Sequence, residues 1–384
     1  MRIAHVITRL ILGGAQENTV LCCRDLIEQH GDEVLLISGP AIGPEGSLFG
    51  AAADMGIPCV TVSRLRREIC PLRDFGAYRQ IKKILREFSP DVVHTHSAKA
   101  GVLGRYAAWS LGIPAIVHTV HGAPFHQFQN RFARAFIRSC ERRAAARCHK
   151  LVSVAEAMTD LMVRATVAPR EKFVTVYSGM DVDMFLSADE QRSAVRAELG
   201  YRDDHVVVGK LARLFHLKGH QDVIQAARKV VDRVPSVRFL FVGDGVLQRQ
   251  LRDHISSVGL DEYFQFTGLV PPAKVAGFLS AMDLVVHTSL REGLARALPQ
   301  SLIVGRPVIS YDIDGASEVV IDGVTGRLIV PRDITGLSDA LVQLSSDESL
   351  RKIMGTEGRR RFQDPFRHEL MTSQLRKIYS QLLA

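Results

Sequence analysis

The sequence predicts an α/β protein made of two doubly wound, parallel-sheet domains. Short apolar, β-rich runs alternate with helix-length segments along all 384 residues. Continuous apolar strands linked by helices are typical of parallel sheets that are buried on both faces. The sequence contains thirteen such runs. Because one open sheet rarely holds so many strands, we expect two sheets.

The strand runs form two series, and helical patterns lie between them. Helices are predicted at 15–30, 74–88, 219–233 and 335–346. The turn-rich segment "SGMDVDMFLSADEQ" separates the two series, so the predicted domains are 1–184 and 185–364. In chain order the strand runs are RIAHVIT, EVLLIS, CVTVS, DVVHTH, AIVHTVH, KLVSVA and KFVTVYS, then HVVVGKLA, RFLFVGD, FQFTGLV, LVVHTS, RPVISYD and GRLIV.

The composition excludes several classes of protein. Hydrophobic residues make up 46% and charged residues 23% of the chain, which is ordinary for a globular protein and argues against extensive disorder. No apolar run approaches the roughly 18 residues that a membrane span requires. The first residues, "MRIAHVIT", read as a strand, so no signal peptide is expected. The six cysteines form no C-x-x-C pair, and we expect reduced thiols in a cytoplasmic protein.

The net charge of +8 includes two basic clusters in the first half, at 64–73 and 131–143. In the second cluster, arginines recur at helical spacing beside an apolar stripe. Two interpretations remain open: a solvated amphipathic helix, or a surface that binds anionic lipid or a lipid diphosphate. Nucleic acid is not an expected partner, because aromatic residues do not interleave with the basic ones. The arginines are Arg131, Arg134, Arg138 and Arg142, and the stripe contains Phe132, Phe136 and Cys140.

Ligands of doubly wound sheets bind at the carboxyl ends of the strands, so the loops there hold the candidate sites. Gly13 and Gly14 follow the first strand and precede a helix, which lets a phosphate or sugar approach the backbone closely. A tight turn without a ligand is the alternative, and the G-x-G-x-x-G fingerprint is absent. Arg213 and Lys218 share one short loop in the second half and form a natural pair of cations for a diphosphate.

The segment "REGLARALPQSLIV" is predicted to contain a helix that begins at Glu292. Eight residues at 100° each return to within about 80° of the start, so Glu292 and Gln300 would point the same way. The backbone amides of Gly293, Leu294 and Ala295 would be unpaired donors at the helix start and would favour an anion. A capping role for Glu292 is the alternative, but it leaves Gln300 unexplained.

Several histidines lie near the ends of strands in the first half. We interpret them as residues that line the ligand-binding edge or cap strand ends, rather than as a metal site. The segment "YDID", with Asp312 and Asp314, resembles a D-x-D metal motif but lies at a strand exit, so we interpret it as loop geometry. The histidines are His94 and His96 on one run and His118 and His121 on the next.

In this order and spacing, the motifs resemble those of the glycogen-synthase-like retaining glycosyltransferases of family 4. The resemblance spans nearly the whole chain and is strongest from 205 to 330. It implies a GT-B fold, in which two Rossmann-like doubly wound domains face each other across a cleft. It also implies that a final helix, at about 365–384, packs back on the first domain. The motifs are GGAQ, VHTVHG, LARLFHLKG, VGDG, TGLV, SLREGL with GRPVI, and DGASEVVIDGVTGRLIV.

The resemblance implies roles for residues of the second domain. Arg213 and Lys218 match the pair that binds the donor diphosphate, and Glu292 matches a glutamate that holds hydroxyls of the donor sugar. The amides of Leu294 and Ala295 match the helix start that faces the phosphates and sugar. Gln300 stands where the family usually has a second glutamate, which binds the ribose, and an amide can still donate and accept hydrogen bonds there.

In the first domain, Gly14 matches a loop that closes on the donor, and the adjacent Gly13 is expected to bind the donor with it. His121 matches a histidine near the transferred sugar. His121 and Glu292 are therefore the expected catalytic residues. The implied function is retaining transfer of a sugar from a UDP- or GDP-sugar to a saccharide or lipid-linked acceptor, in cell-surface polysaccharide or glycolipid synthesis. No metal or other cofactor is expected.

The basic first domain leaves an anionic membrane surface as a further expected partner, on the inner face of the membrane. Two alternatives to a transferase stay open. One is a sugar-nucleotide epimerase of the same fold. The other is a protein that binds a nucleotide sugar without catalysis, and Gln300 is the feature that suggests it.

Overall fold

The computed structural model describes residues 1–43 and 46–384. The chain divides into two compact units, the first formed by Met1–Met180 with Phe366–Ala384 and the second by Asp181–Pro365. Within the described residues each unit contains one sheet, of seven strands in the first and six in the second, and every strand pair is parallel. The predicted fold class is confirmed, and each of the thirteen predicted runs contains one strand.

Strands and helices alternate through the first unit. A short 3₁₀ segment, Arg170–Lys172, precedes its last strand. The elements are β1 (Arg2–Ile7), α1 (Gly14–Glu28), β2 (Glu33–Ser38), α2 (Phe49–Asp54), β3 (Cys59–Thr61), α3 (Pro71–Phe88), β4 (Val92–His96), α4 (Ala98–Ser110), β5 (Ala115–Val120), α5 (Arg131–Ala145), β6 (Lys150–Ser153), α6 (Glu156–Arg164) and β7 (Phe173–Thr175).

The second unit repeats the alternation, and the last helix of the chain belongs to the first unit. Short 3₁₀ segments lie at Ala188–Gln191, Asp261–Tyr263, Pro272–Lys274 and Ala316–Glu318. The elements are α7 (Asp183–Leu186), α8 (Arg192–Glu198), β8 (Val206–Leu211), α9 (His220–Arg233), β9 (Val237–Val242), α10 (Gln248–Ser257), β10 (Phe264–Gly268), α11 (Val275–Ala281), β11 (Leu284–His287), α12 (Ala297–Ile303), β12 (Val308–Tyr311), β13 (Gly326–Ile329), α13 (Ile334–Ser346), α14 (Glu348–Phe362) and α15 (His368–Leu383).

The strand order creates one switch point in each sheet. The first sheet has the order β3-β2-β1-β4-β5-β6-β7, and the second has the order β10-β9-β8-β11-β12-β13. In each sheet the first three strands follow one another toward one edge. The fourth strand then pairs with the first, and the later strands extend the sheet toward the other edge. The crevice at the carboxyl ends of β1 and β4, and of β8 and β11, is where doubly wound sheets bind ligands.

Buried apolar side chains on both faces hold the strands in place. In the second unit Val208, Phe239, Phe241, Val286 and Ile309 are fully buried in one hydrophobic cluster. Each such side chain contributes roughly 1.5–3 kcal/mol relative to exposure. The polar residues found inside these strands are therefore exceptions.

Helix α15 is attached to α1 by a buried polar contact. Asp25 of α1 is fully buried, and its Oδ2 lies 2.7 Å from His368 Nδ1 and accepts a hydrogen bond of 2.9 Å from Thr372 Oγ1. Tyr379 is also buried and reaches the middle of β4, where its hydroxyl lies 2.5 Å from His94 Nδ1. The last helix is thus part of the first unit's core. Among the described residues, no helix combines the length and apolar character needed to cross a membrane.

Candidate active site

The loops that follow β8 and β11 contact each other at the switch point of the second unit. The backbone amide of Leu290 donates to the Leu217 carbonyl at 2.8 Å, and Thr288 Oγ1 donates to the Gly219 carbonyl at 2.6 Å. Leu217 and Gly219 both have left-handed backbone angles, with φ of 68° and 67°. A Cβ at 219 would lie 1.9 Å from the Thr288 carbonyl oxygen, so only glycine fits. Lys218 is held between these two residues.

Lys218 and Glu292 form an ion pair at this edge. Lys218 Nζ donates to Glu292 Oε1, and His287 Nε2 lies 3.5 Å from the same oxygen. The two charged side chains are about one-fifth exposed, at 22% and 19%. Burial opposes ionisation, but His287 and Lys218 outweigh it and hold the pKa of Glu292 well below its usual range. Glu292 is therefore a carboxylate at neutral pH.

The predicted helix start at Glu292 is wrong. Helix α12 begins at Ala297, so 291–296 is a loop and the amides of Gly293, Leu294 and Ala295 do not form the first turn of a helix. The physical reason is Pro299, which lacks an amide hydrogen and is tolerated only in the first turn. Glu292 and Gln300 consequently do not share one helical face. Gln300 lies on α12 and is 9% exposed.

A second loop holds Glu292 in place. The Asp314 carboxylate accepts a hydrogen bond from the Glu292 amide at 2.7 Å, and the Gly315 amide donates to the Gly293 carbonyl at 3.1 Å. The backbone of Asp314 itself adopts the left-handed conformation, with φ of 46°. Burial, together with the nearby Glu292 carboxylate, raises the pKa of Asp314. Asp314 thus has a structural role in the "YDID" loop, which agrees with our interpretation of that segment.

Arg213 lies on the same loop as Lys218, and its guanidinium is 5.0 Å from the centre of the Phe215 ring. The glycines of "VGDG" support this loop. A Cβ at Gly243 would lie 2.2 Å from the Ala212 carbonyl oxygen, and one at Gly245 would lie 2.5 Å from that of Leu214. These glycines permit close packing of two loops.

Lys210 is a site residue that was not predicted from the sequence. It lies on β8 and is completely buried, and its Nζ donates to Thr288 Oγ1 at 2.9 Å. Burial, reinforced by the positive charge of Lys218, lowers the pKa of Lys210 from 10.5 to about 7. His287, which ends β11, was missed as well. The available signal was a polar residue inside an otherwise apolar strand run, in "VVVGKLA" and "LVVHTS".

The first unit places its predicted residues at its own switch point. Gly13 caps α1 and Gly14 is its first residue; the Gly13 carbonyl accepts from the amides of Gln16 and Glu17 at 3.1 and 2.9 Å. His121 follows β5, and its Nε2 lies 3.1 Å from Nδ1 of His96.

His5, His94 and His96 are three buried residues whose ring nitrogens lie within 4.8 Å of one another. Among the residues that the structure describes, these three side chains form the candidate site for a metal ion. Three imidazoles match the ligand number of a catalytic zinc site. Their present contacts are hydrogen bonds to one another and to neighbouring side chains.

Both halves of the chain match glycosyltransferase family models. The description "Glycosyltransferase Family 4" applies to residues 12–184, and "Glycosyl transferases group 1" applies to 191–361. Together the two models cover nearly the whole chain. The chain belongs to the family-4-like glycosyltransferases.

Relatives of similar length support this assignment. The Escherichia coli UDP-Gal:alpha-D-GlcNAc-diphosphoundecaprenol alpha-1,3-galactosyltransferase is 26% identical over 99% of this chain and 96% of its own. The N-acetyl-alpha-D-glucosaminyl L-malate synthase of Bacillus anthracis is 26% identical over 84% of this chain and 83% of its own.

The fold of this glycosyltransferase is similar to GT-B structures. Anabaena Alr3699/HepE in complex with UDP has a TM-score of 0.81 at 21% identity, over 99% of this chain and 100% of that one. Sucrose-phosphate synthase from Thermosynechococcus elongatus has a TM-score of 0.82 at 18% identity, over 100% and 99%. At such low identity the likeness concerns the fold.

Replacing the buried lysine of the glycosyltransferase by an apolar residue, Lys210→Met, is expected to stabilise the protein at neutral pH. The folded lysine titrates near pH 7 and the unfolded one near 10.5. The unfolded state therefore binds more protons between these values, and the penalty for a buried ammonium is full below pH 7 and gone above about 10.5. The pKa difference between 10.5 and about 7 corresponds to a gain in free energy of unfolding on the order of 5 kcal/mol at pH 6.

Urea unfolding at pH 6, 8 and 10 measures this gain. It should shrink as the pH rises. Lys352→Met, at a side chain that is 74% exposed, is the control and should show no such trend. A gain for Lys210→Met that is the same at all three pH values would contradict a buried, titrating ammonium.

Proposed function

We propose that this glycosyltransferase moves a sugar from a UDP-sugar to a saccharide or lipid-linked acceptor, with retention of configuration and without a metal. Cell-surface polysaccharide or glycolipid synthesis is the process that we propose for it. The E. coli relative supports this proposal, because its name states a UDP-galactose donor and a lipid-diphosphate acceptor. The HepE structures with UDP and with UDP-glucose support the choice of nucleotide. A GDP-sugar is the competing donor, and a donor screen separates the two.

The observation that carries the proposal is the Lys218–Glu292 pair at the switch point of the second unit. A cation and a carboxylate side by side fit the two ends of a nucleotide sugar. Lys218 and Arg213 would bind the diphosphate through charge-assisted hydrogen bonds. Glu292 would accept hydrogen bonds from sugar hydroxyls. Within the described residues the amides of Gly293, Leu294 and Ala295 donate no hydrogen bond, which leaves three further donors for the diphosphate.

The chemistry follows from where charge develops. When the bond between the anomeric carbon and the diphosphate oxygen breaks, its electron pair stays on the diphosphate. Lys218, Arg213 and the three amides stabilise that negative charge. The acceptor oxygen forms its bond to the anomeric carbon on the face that the diphosphate leaves. Its proton passes to the departing phosphate oxygen, so no protein nucleophile is needed.

The residues of the first unit receive roles from the family resemblance. We assign His121 to a hydroxyl of the transferred sugar and Gly13–Gly14 to the donor phosphates. No metal is assigned, because cations of the chain neutralise the diphosphate.

Removing either cation, in Lys218→Ala or Arg213→Ala, is expected to lower kcat/KM for transfer by about 100-fold or more. The hydrogen bond that each substitution removes strengthens in the wild type as negative charge develops on the diphosphate. Product formation by mass spectrometry measures transfer, with each UDP- and GDP-sugar and with either EDTA or Mg²⁺ present. The wild type should be equally active with EDTA.

Lys274→Ala removes an exposed cation elsewhere in the second unit and is the control. Unfolding temperatures verify that each variant is folded. Wild-type turnover by Lys218→Ala would contradict the diphosphate contact, and loss of activity in EDTA that Mn²⁺ restores would contradict the metal-free mechanism. Isomerised donor without transfer product would indicate an epimerase.

Glu292 and Gln300 are expected to differ in what they contribute. Glu292→Gln should lower kcat strongly, because an amide is a weaker acceptor than a carboxylate for two hydroxyls. Gln300→Ala should raise the donor KM because a ribose contact is removed, whereas Gln300→Glu should leave the KM unchanged or lower it. Steady-state kinetics with varied donor measures these effects. An unchanged KM in Gln300→Ala would remove Gln300 from the donor site.

Helix α5 is the surface that we propose to meet an anionic membrane. Its aromatic side chains Phe132 and Phe136 are 70% and 58% exposed, although such rings are usually buried. Arg134 and Arg138 are exposed on the same helix. An exposed apolar stripe beside a row of arginines provides both the apolar and the electrostatic contribution that interfacial binding requires.

Reversing two charges of α5, in the double variant Arg134→Glu/Arg138→Glu, is expected to abolish binding to vesicles of anionic lipid. Each arginine near such a surface contributes about 1 kcal/mol. Co-sedimentation at low and high salt measures binding, which salt should weaken. Arg249→Glu/Lys274→Glu makes the same charge change in the second unit and should bind as the wild type does. Binding that is insensitive to salt and to both variants would show that α5 is an ordinary solvated helix.

A further inference from the structure

Three histidine rings of the first unit are linked in a chain of hydrogen bonds. Nδ1 of His5 lies 3.0 Å from Nε2 of His96, and Nδ1 of His96 lies 3.1 Å from Nε2 of His121. The ring planes of His5 and His96 differ by 11°, and those of His96 and His121 by 29°. The chain crosses the switch point, because His5 is on β1 and His96 is on β4.

The buried rings of this chain are neutral at physiological pH. Burial lowers the pKa of His5 to about 3. Burial, together with the neighbouring rings of His94 and His5, lowers the pKa of His96 well below its usual range. A neutral imidazole has one N–H and one lone pair. His96 must therefore donate to one neighbour and accept from the other, so the tautomers of the three rings are coupled.

His5 determines the order in which the three rings donate hydrogen bonds to one another. Its Nε2 is buried and has no hydrogen-bond partner. If His121 donated to His96 and His96 donated to His5, the Nε2 of His5 would carry a buried, unpaired N–H, which proteins rarely tolerate. If donation runs from His5 to His121 instead, the Nε2 of His5 has no hydrogen and holds only a lone pair. His5 then donates to His96, and His96 donates from Nδ1 to Nε2 of His121. A neutral His121 that accepts at Nε2 carries its proton on Nδ1.

The geometry of His5, His94 and His96 fits a hydrogen-bonded group better than a metal site. Imidazole nitrogens bind zinc at about 2.0–2.1 Å with their lone pairs converging on the ion. Here the nitrogens of His5 and His96 face each other within nearly parallel rings. Both nitrogens of His94 are also engaged, with Tyr379 Oη at 2.5 Å and Thr119 Oγ1 at 2.7 Å.

We propose that His96, supported by His5, is a positioning residue that fixes His121 as the Nδ1–H tautomer. His121 would then act as a hydrogen-bond donor to an oxygen of the transferred sugar, and not as a general base. The second statement rests on the proposed function, while the first concerns the free protein alone.

NMR of ring nitrogens tests the first statement without any substrate. In protein labelled with ¹⁵N-histidine, the two-bond ¹H–¹⁵N spectrum at pH 7 should show His121 protonated at Nδ1, with the signal assigned by its disappearance in His121→Gln. In His96→Leu the signal should shift toward a mixture of tautomers. His96→Asn, whose amide can replace the Nδ1 donor, should restore the wild-type pattern. An Nε2–H tautomer in the wild type, or an unchanged His121 signal in His96→Leu, would overturn the proposal.

Kinetics tests the second statement. Removal of one positioned hydrogen bond should lower kcat about fivefold to tenfold in His96→Leu, with the donor KM nearly unchanged and most of the activity recovered in His96→Asn. An unchanged kcat in His96→Leu would overturn the positioning role. Failure of the proposed function is a separate result, since the wild type would then form no transfer product with any nucleotide sugar, while the tautomer of His121 is still measurable.

Discussion

The pairing of β8 with β11 determines which loops of the second unit contact each other at its switch point. These strands are neighbours in the sheet, although β9 and β10 separate them in the chain. Because they are parallel, their carboxyl ends lie at one edge and their loops contact each other there. The hydrogen bonds from Thr288 to Gly219 and from Leu290 to Leu217 fix that contact. Lys218 can reach Glu292, 74 residues away in the chain, only because of it.

The polar side chains at the two switch points differ in charge. In the second unit Glu292 is a carboxylate, because His287 and the neighbouring Lys218 hold its pKa well below its usual range although burial opposes ionisation. In the first unit His5, His94 and His96 are fully buried, and burial keeps them neutral. Charged groups suit a diphosphate, whereas neutral imidazoles offer hydrogen bonds to hydroxyls without a fixed charge. Lys210 is an intermediate case, since it is buried like the histidines but titrates near neutrality.

How much of the site could be predicted depended on how local each feature is. Arg213 and Lys218 share one short loop, so the sequence placed them together, and their role as ligands of a donor stays a prediction. The predicted helix start at Glu292 was wrong because it rested on residue spacing and neglected Pro299, whose missing amide hydrogen requires a later start. Lys210 and His287 were missed, since a polar residue inside an apolar strand shows only that it is unusual, and not which partner it has.

The sequence by itself determined the fold class and the thirteen strands, because apolar strand runs and the helical patterns between them are local properties of the chain. It also determined the family, through motifs that are continuous in sequence. Only the tertiary structure decided which strands are neighbours, how the Asp314 loop holds Glu292, and that His5, His96 and His121 form one chain. These features depend on hydrogen bonds between residues that are far apart in sequence, and on burial, which sets the protonation state of each ring.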